Sequence, residues 1–283
     1  MSITLESAAE IIASVNSMTA TVAGQSEKIQ KQADEATKAV PNAVRAMSEV
    51  TFYVSNGGSD LNNDGSKEKP FKTVQFAISQ AMSGAMVFIY LEDNQEYICE
   101  SSVRNNLCNG KNIVLKVYGS SGVKPRMRFK MTQNPEGSFN GAYVCNYFEG
   151  SVFSITNDGV DWINDPIPEG GVAYSSDSFG GVITRGSDYG GGIDITLRLV
   201  NCNITTGDHP FVTGQMGYLN VHARGVNIAK GGSIERFLPL EGLRMARMFG
   251  LYAVSISGFT SNAPKDVFQY DETKIASVLG GGL

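Results

Sequence analysis

The first forty residues carry an apolar repeat that limits the possible folds of this chain more than any other feature. Steps of alternately three and four residues pass through Leu5, Ala8, Ile12, Val15, Thr19, Val22, Ser26, Ile29, Ala33, Ala36 and Val40, of which only Thr19 and Ser26 are polar. An apolar spacing of about 3.5 residues predicts a left-handed coiled coil with partner helices. A single amphipathic helix packed on its own domain would show a wider stripe of period about 3.6. The repeat favours the coiled coil.

The core residues of this repeat also indicate how many helices associate. β-branched residues occupy d positions at Val15, Val22 and Ile29, and such residues disfavour a parallel dimer. We therefore predict an α-helical trimeric coiled coil. The residues expected to form its interface are Leu5, Ile12, Val15, Val22, Ile29 and Val40.

Pro41 is expected to end this helix, because proline lacks an N–H and pushes the preceding residue toward extended geometry. The predicted domains are a trimeric coiled coil or virion-attachment segment over residues 1–41, a linker over 42–50 and a β domain over 51–283. Within the β domain, a helix is predicted over about 70–82, since Phe71, Val74 and Ile78 fall on one helical face.

The segment from Phe52 to Ala81 contains the most informative motif. It reads Phe-Tyr-Val-Ser-Asn-Gly-Gly-Ser-Asp-Leu-Asn-Asn-Asp-Gly, and then Pro-Phe-Lys-Thr-Val-Gln-Phe-Ala-Ile before the helix ends. This stretch resembles the opening segment of phage tailspikes and of other pectate-lyase-like right-handed parallel β-helix proteins. The resemblance implies that the helix caps the first open rung of a β-helix. Asp60 begins a pattern similar to a calcium loop, but Phe71 replaces the required glutamate, so we expect an Asx-rich turn and no metal.

Apolar β runs recur through the rest of the chain. The run from Asp194 compares well with the run from Gly217, and the offset from Ile195 to Leu219 is 24 residues (219 − 195). A fixed period of this size is typical of a solenoid. We predict a mainly β fold, a right-handed parallel β-helix with a capping helix. An antiparallel sandwich is the alternative, but hairpin dipeptides do not separate the runs regularly.

Composition excludes some partners. The formal net charge is −5, and the basic residues do not cluster, so nucleic acid is not expected. The longest purely apolar run, Ala85–Leu91, is far shorter than the ~20 residues of a membrane-spanning helix, so membrane insertion is not expected. The four cysteines lack metal-site spacing and are expected to be buried and reduced. No cofactor is predicted.

Three carboxylates and a tryptophan form the one cluster that suggests catalysis. Tailspikes that this chain resembles cleave polysaccharide with paired acids, and here Asp158, Asp161 and Asp165 surround Trp162, a possible platform for a sugar ring. An ordinary solvated loop explains the same residues, since Pro and Gly follow them. No nucleophile, phosphate-binding or dinucleotide-binding motif is present. We therefore assign no catalytic residue and keep these three aspartates as the fallback.

The function that the sequence favours is that of a homotrimeric structural tail fibre or short tail spike, which attaches a phage to its host. Its expected location is the virion tail, after assembly in the bacterial cytoplasm, and its expected partners are other tail proteins and host surface polysaccharide. Three alternatives remain open at this point: a polysaccharide depolymerase (glycoside hydrolase or lyase) on the same scaffold, a non-enzymatic receptor-binding tip that recognises host glycan through side loops, and a non-enzymatic adaptor for other tail fibres.

Overall fold

The structure, a computed structural model, describes residues 4–100, 108, 110–142, 145–147, 152–173, 181–185, 194–213, 217–238 and 245–270. The chain divides into two compact units, Met1–Met47 and Ser48–Leu283. None of the helices in the described ranges is long and apolar enough to cross a membrane.

The first unit is almost entirely one helix, α1 (Leu5–Ser48). The prediction that Pro41 ends this helix was wrong, because α1 continues through it. A proline removes one backbone hydrogen bond and strains one turn, but good helix formers on both sides, such as Ala36 and Ala43, let the helix resume. Residues 42–48 are therefore helical, and the first strand follows at once.

The second unit is mainly β. Its strands are β1 (Glu49–Val54), β2 (Met86–Glu92), β3 (Glu96–Cys99), β4 (Asn112–Tyr118), β5 (Arg126–Phe129), β6 (Met131–Gln133), β7 (Ser138–Gly141), β8 (Cys145–Tyr147), β9 (Val152–Asp158), β10 (Asp161–Asn164), β11 (Val172–Ala173), β12 (Ile183–Arg185), β13 (Asp194–Val200), β14 (Asn203–Thr206), β15 (Gly217–Lys230) and β16 (Met245–Ser257). Two short helices are α2 (Val74–Gln80) and α3 (Pro264–Phe268).

One large parallel sheet dominates this unit, and it bends within its longest strands, β15 and β16. Its order is β1-β2-β4-β9-β13-β15-β14-β10-β5-β3, with β16 also paired to β15. β13 pairs with the first half of β15, and β14 pairs with the second half. The sheet therefore has two faces that meet within β15: a first face (β1, β2, β4, β9, β13 and the first halves of β15 and β16) and a second face (β3, β5, β10, β14 and the second halves).

A residue with left-handed backbone geometry lies at each corner between the two faces. Gly159 follows β9 with φ 91, Asn201 follows β13 with φ 48, and Gly225 divides β15 with φ 63. Such geometry turns an extended chain sharply, and glycine and asparagine tolerate it best. Behind the first of these corners, the buried Asn157 donates from Nδ2 to the carbonyl of Val160 at 2.8 Å.

The stacked parallel pairing is consistent with a parallel β-helix. Ile195 pairs with Leu219, as the 24-residue offset predicts. Phe153 pairs directly with Ile195, so β12, which holds Ile183, is not a rung of the first face and pairs with β8 in a separate sheet. Apart from the antiparallel β6–β7 pair, every strand pairing in the described ranges is parallel, which excludes the antiparallel sandwich.

Helix α2 begins four residues later than predicted, at Val74 rather than at position 70. Thr73 caps it by accepting the N–H of Phe76, and Phe71 lies in extended backbone, bridged to Val54. Asp60 fixes this start, because its carboxylate accepts the backbone N–H groups of Lys72 and Thr73 at 2.8 and 3.0 Å. Asp60 thus completes a turn, as expected of an Asx-rich loop.

The helix contributes apolar side chains to the core of the second unit. Val74, Ala77 and Ile78 are buried, and Phe71 is buried beside them. α2 contacts the terminal strand β1 and its neighbour β2. At its last turn, the buried Lys111 donates from Nζ to the carbonyl of Ile78 at 2.9 Å, which places a cation where the helix dipole favours one.

A column of aromatic rings runs through the interior. Phe129 and Trp162 lie 5.7 Å apart, Trp162 and Phe211 5.1 Å, and Phe211 and Phe237 4.6 Å between ring centroids. Phe268 of α3 follows Phe237 at 5.4 Å. Because these rings come from successive layers, they connect the coils along the interior of the unit.

Of the cysteines, Cys99 and Cys202 are buried free thiols, whereas Cys108 is disulfide-bonded. The expectation that all four are reduced was therefore wrong for Cys108. Burial raises the pKa of both free thiols from 9.0 to about 12. A thiol held protonated in this way is a poor nucleophile.

We expect Cys99 and Cys202 to resist iodoacetamide at pH 8 in the native protein and to react fully in denaturant, as judged by peptide mass mapping. The pKa of these thiols is 9.0 in the unfolded chain and about 12 in the folded protein. The free energy of unfolding therefore keeps its full value below about pH 9 and falls as the pH rises above it, because the unfolded thiols lose their protons first. The urea midpoint should therefore be lower at pH 10 than at pH 8. Rapid labelling of either thiol in the native protein would contradict this assignment.

Candidate functional site

The three candidate carboxylates do not form one cleft. Asp158 ends β9 on the first face, and the corner at Gly159 separates it from Asp161 and Asp165 on the second face. Asp161 accepts the backbone N–H of Asn203 at 2.8 Å and its side-chain amide at 2.9 Å. Asp158 and Asp161 thus lie on either side of a corner, and Asp161 is already held by Asn203.

Asp165 is held by an arginine. Its carboxylate accepts Nε of Arg128 at 2.8 and 3.1 Å, and Arg128 also approaches Glu96 at 3.5 Å. This contact raises the pKa of Arg128, chiefly through the hydrogen bond to Asp165. The carboxylate is thus used in a partly buried ion pair on the second face.

Trp162 is not a platform for a sugar. It is 1 % exposed and lies in the interior aromatic column. The reason is the alternation of a strand: Asp161 and Ile163 of β10 point outward, so Trp162 between them points into the core. The sequence prediction for this residue was wrong.

A different group of side chains lies exposed together on the outer side of the first face. Arg198 of β13 is in register with His222 of β15, and Arg224, two residues further on, is in register with Tyr252 of β16. All four side chains are exposed and border a groove of about 430 Å³. We call Arg198, His222, Arg224 and Tyr252 the cationic groove.

Gly250 makes room for this groove. It is in register with His222, and a Cβ at Gly250 would lie 2.9 Å from Nδ1 of the imidazole. A side chain here would push His222 out of its position. Because Gly250 has no side chain, His222 can lie over the neighbouring strand.

A polar row lies beside the cationic groove on the same face. Asn112, Ser154, Thr196 and Asn220 are in register on successive strands. Ser154 donates from Oγ to Oδ1 of Asn112 at 2.8 Å. A row of polar side chains therefore crosses the outer surface of the first face from β4 to β15.

A second groove, of about 770 Å³, lies between α2 and β3. Its acidic side chains already have partners: Asp60 binds the start of α2, Glu96 approaches Arg128, and Glu100 binds Lys130 at 2.6 Å. In the described ranges, no three His, Cys, Asp or Glu side chains are grouped so that they could hold a metal ion. The cationic groove is therefore the better candidate for a binding site.

Sequence reasoning did not identify the cationic groove, although the signal was present. Aligning the two repeats by their 24-residue offset places Arg198 beside His222 and Val200 beside Arg224. The alternation of each strand then puts the charged members on the outer side. Tyr252 could not be found this way, because its strand follows at a longer offset of 28 residues (252 − 224).

Comparison with known proteins identifies no family. No protein-family model matches the chain, and no curated protein sequence matches it. Among solved structures, a rhamnogalacturonan lyase resembles it with a TM-score of 0.41 and 12% sequence identity, over 73% of this chain and 51% of that one. The chain thus spans about half the length of that protein. A likeness this weak indicates neither family nor activity.

Proposed function

We propose that this chain is a structural, non-enzymatic tail fibre or short tail spike that attaches a phage to its host, and that it acts as a homotrimer. In this proposal α1 forms a trimeric coiled coil at the virion end. The second unit is a right-handed parallel β-helix that carries the host-binding surface. The opening motif around Asp60 and Phe71, which resembles that of tailspikes, supports the assignment.

The observation that carries the proposal is the exposure of the heptad face of α1. Ile12, Val15, Val22 and Ile29 are 54–66% exposed, and Leu5 is 94% exposed. Val40 lies in α1, but its side chain is outside the described part of the chain. Soluble proteins rarely leave a long apolar stripe uncovered, so a stripe of this period favours burial against copies of the same helix.

Two further residues favour more than two helices. Ile11 and Met18 occupy g positions next to the core and are 57% and 65% exposed. Apolar residues at a, d and g widen the stripe that must be covered. A trimer buries more of such a stripe than a dimer does.

The β-helix part of the proposal rests on the parallel stacking and on chirality. Successive parallel strands in one sheet are connected in a right-handed sense in nearly all proteins. Val87, Ile113, Ile155 and Leu197 follow one another in register on the interior side of the first face. Such columns of alike residues are what a solenoid interior requires.

The test combines mass with attachment. Native mass spectrometry of the intact protein should give three times the chain mass, and the fluorescently labelled protein should bind cells of some strains in a panel of bacteria. A monomer would contradict the homotrimer. A trimer that binds phage tail proteins and no cells would favour the adaptor instead.

We expect no cleavage of surface polysaccharide, because the candidate acids are separated by a corner or occupied by Asn203 and Arg128. The measurement is the release of reducing ends or unsaturated products from envelope polysaccharide of a strain that binds the protein. Release that is lost in Asp161→Asn or Asp165→Asn, with folding and cell binding retained, would establish the depolymerase alternative.

A further inference from the structure

The cationic groove concentrates positive charge on a protein that is acidic overall. The net charge of the chain is −5, yet the two arginines Arg198 and Arg224 are grouped on two adjacent strands, beside the imidazole of His222. In the described part of the chain, neither arginine has a carboxylate within ion-pair distance. By contrast, Arg128 and Lys130 on the second face are both paired.

The register places three side chains with N–H donors next to one another on the same surface. Arg198 and His222 are direct neighbours across strands that lie about 4.8 Å apart. Arg224 is the diagonal neighbour of Arg198, at about 8 Å between Cα atoms for two residues of strand rise and one strand spacing. Arginine side chains are long enough for both guanidinium groups to reach a single anion beside the imidazole. Three converging donors suit a tetrahedral anion with three free oxygens better than a planar carboxylate with two.

Tyr252 adds a ring beside this triangle. It is 52% exposed and in register with Arg224, so the ring lies next to the place where the anion would bind. Half-exposed aromatic rings bind the apolar faces of sugars and other flat groups. A ligand with a phosphoryl group attached to a sugar would occupy both parts of the groove.

We propose that Arg198, His222 and Arg224 bind the phosphoryl group of a phosphorylated surface glycan, with Tyr252 against the adjoining sugar ring. This inference rests on the proposed attachment function and names the chemistry of the ligand. A nucleic acid would also offer phosphates, but two arginines in an acidic protein provide few of the phosphate contacts that such binding requires.

The test uses the full-length protein and isothermal titration calorimetry with four probes: mannose 6-phosphate, glucuronate, mannose and a ten-nucleotide oligo(dT). We expect mannose 6-phosphate to bind, glucuronate to bind about tenfold more weakly or worse, and mannose not to bind measurably. Glucuronate binding as tight as mannose 6-phosphate would overturn the phosphoryl assignment. Tighter binding of oligo(dT) than of mannose 6-phosphate would overturn the assignment of a glycan as the ligand.

Variants locate the site. Arg198→Gln and Arg224→Gln should each weaken mannose 6-phosphate binding by about tenfold or more. Gly250→Ala should weaken it too, because its Cβ would displace the imidazole of His222. The matched control is Arg126→Gln, an exposed arginine on the second face, which should leave the affinity unchanged. Equal binding by Arg198→Gln and the wild type would overturn the proposal.

This outcome is separable from that of the proposed function. The oligomeric state of the same sample is measured independently of the titration. A trimer that does not bind mannose 6-phosphate would contradict the phosphoryl-binding site and leave the fibre proposal intact. A monomer that binds mannose 6-phosphate would support the site and contradict the homotrimeric fibre.

Discussion

The variant Ile78→Asp is expected to lose the native fold of the second unit. Ile78 is 0% exposed and belongs to the hydrophobic core beneath α2. An unpaired carboxylate in that position costs several kcal/mol, which is comparable to the whole stability of many domains. The expected result is insoluble protein, or soluble protein that is rapidly digested by trypsin under conditions in which the wild type is resistant.

Two companion variants separate burial from other effects. Gln80→Glu adds the same charge two residues further along α2 at an exposed position and should change stability by only a few tenths of a kcal/mol. Ile78→Ala removes apolar contacts without adding a charge and should cost about 2–5 kcal/mol. Soluble, trypsin-resistant Ile78→Asp protein would show that α2 does not seal the core.

The second large effect is expected in α1. Glutamate at both Val22 and Ile29 places charges in adjacent d layers of the proposed coiled coil, and each layer of a trimer would contain three of them. Multi-angle light scattering should then give a monomer mass, and a chain that begins at Ser48 should give the same. The underlying reason is that buried like charges repel and lose their hydration.

The control places the same charges on the outside of the helix. Ser17→Glu with Thr21→Glu adds two carboxylates at f and c positions, which are exposed and face away from the proposed seam. This variant should remain a trimer. A trimer for the Val22 and Ile29 variant would show that α1 is not the interface, and a monomeric wild type would refute the homotrimer itself.

Much of the fold could be predicted because its signals are local or periodic. The 24-residue offset predicted the pairing of Ile195 with Leu219, and apolar alternation identified the strands that contain them. The helix near Val74 followed from its apolar face, although its first residue was placed too early because Pro70 is a common start signal. Repeats with a constant period can be aligned without knowing the fold.

Some features could not be predicted from the sequence, because they depend on which way a side chain points or on how much backbone strain a helix tolerates. Trp162 looked exposed because polar residues surround it, yet its strand alternates and turns it inward. Pro41 looked like an end, yet the helix continues through it. The cationic groove joins residues from three strands, and its outline depends on the absence of a side chain at Gly250. No single stretch of sequence contains that outline.

The aromatic column gives the chain a built-in optical reporter. Trp162 is the single tryptophan of the protein, is 1 % exposed and lies between two phenylalanine rings, so its emission should be blue-shifted in the native state and shift to the red when water reaches it. α1 contains no aromatic residue at all. Tryptophan emission therefore follows the β unit alone, while ellipticity at helical wavelengths follows mainly α1. One heated sample, observed with both signals, should show whether the two units melt together or in sequence.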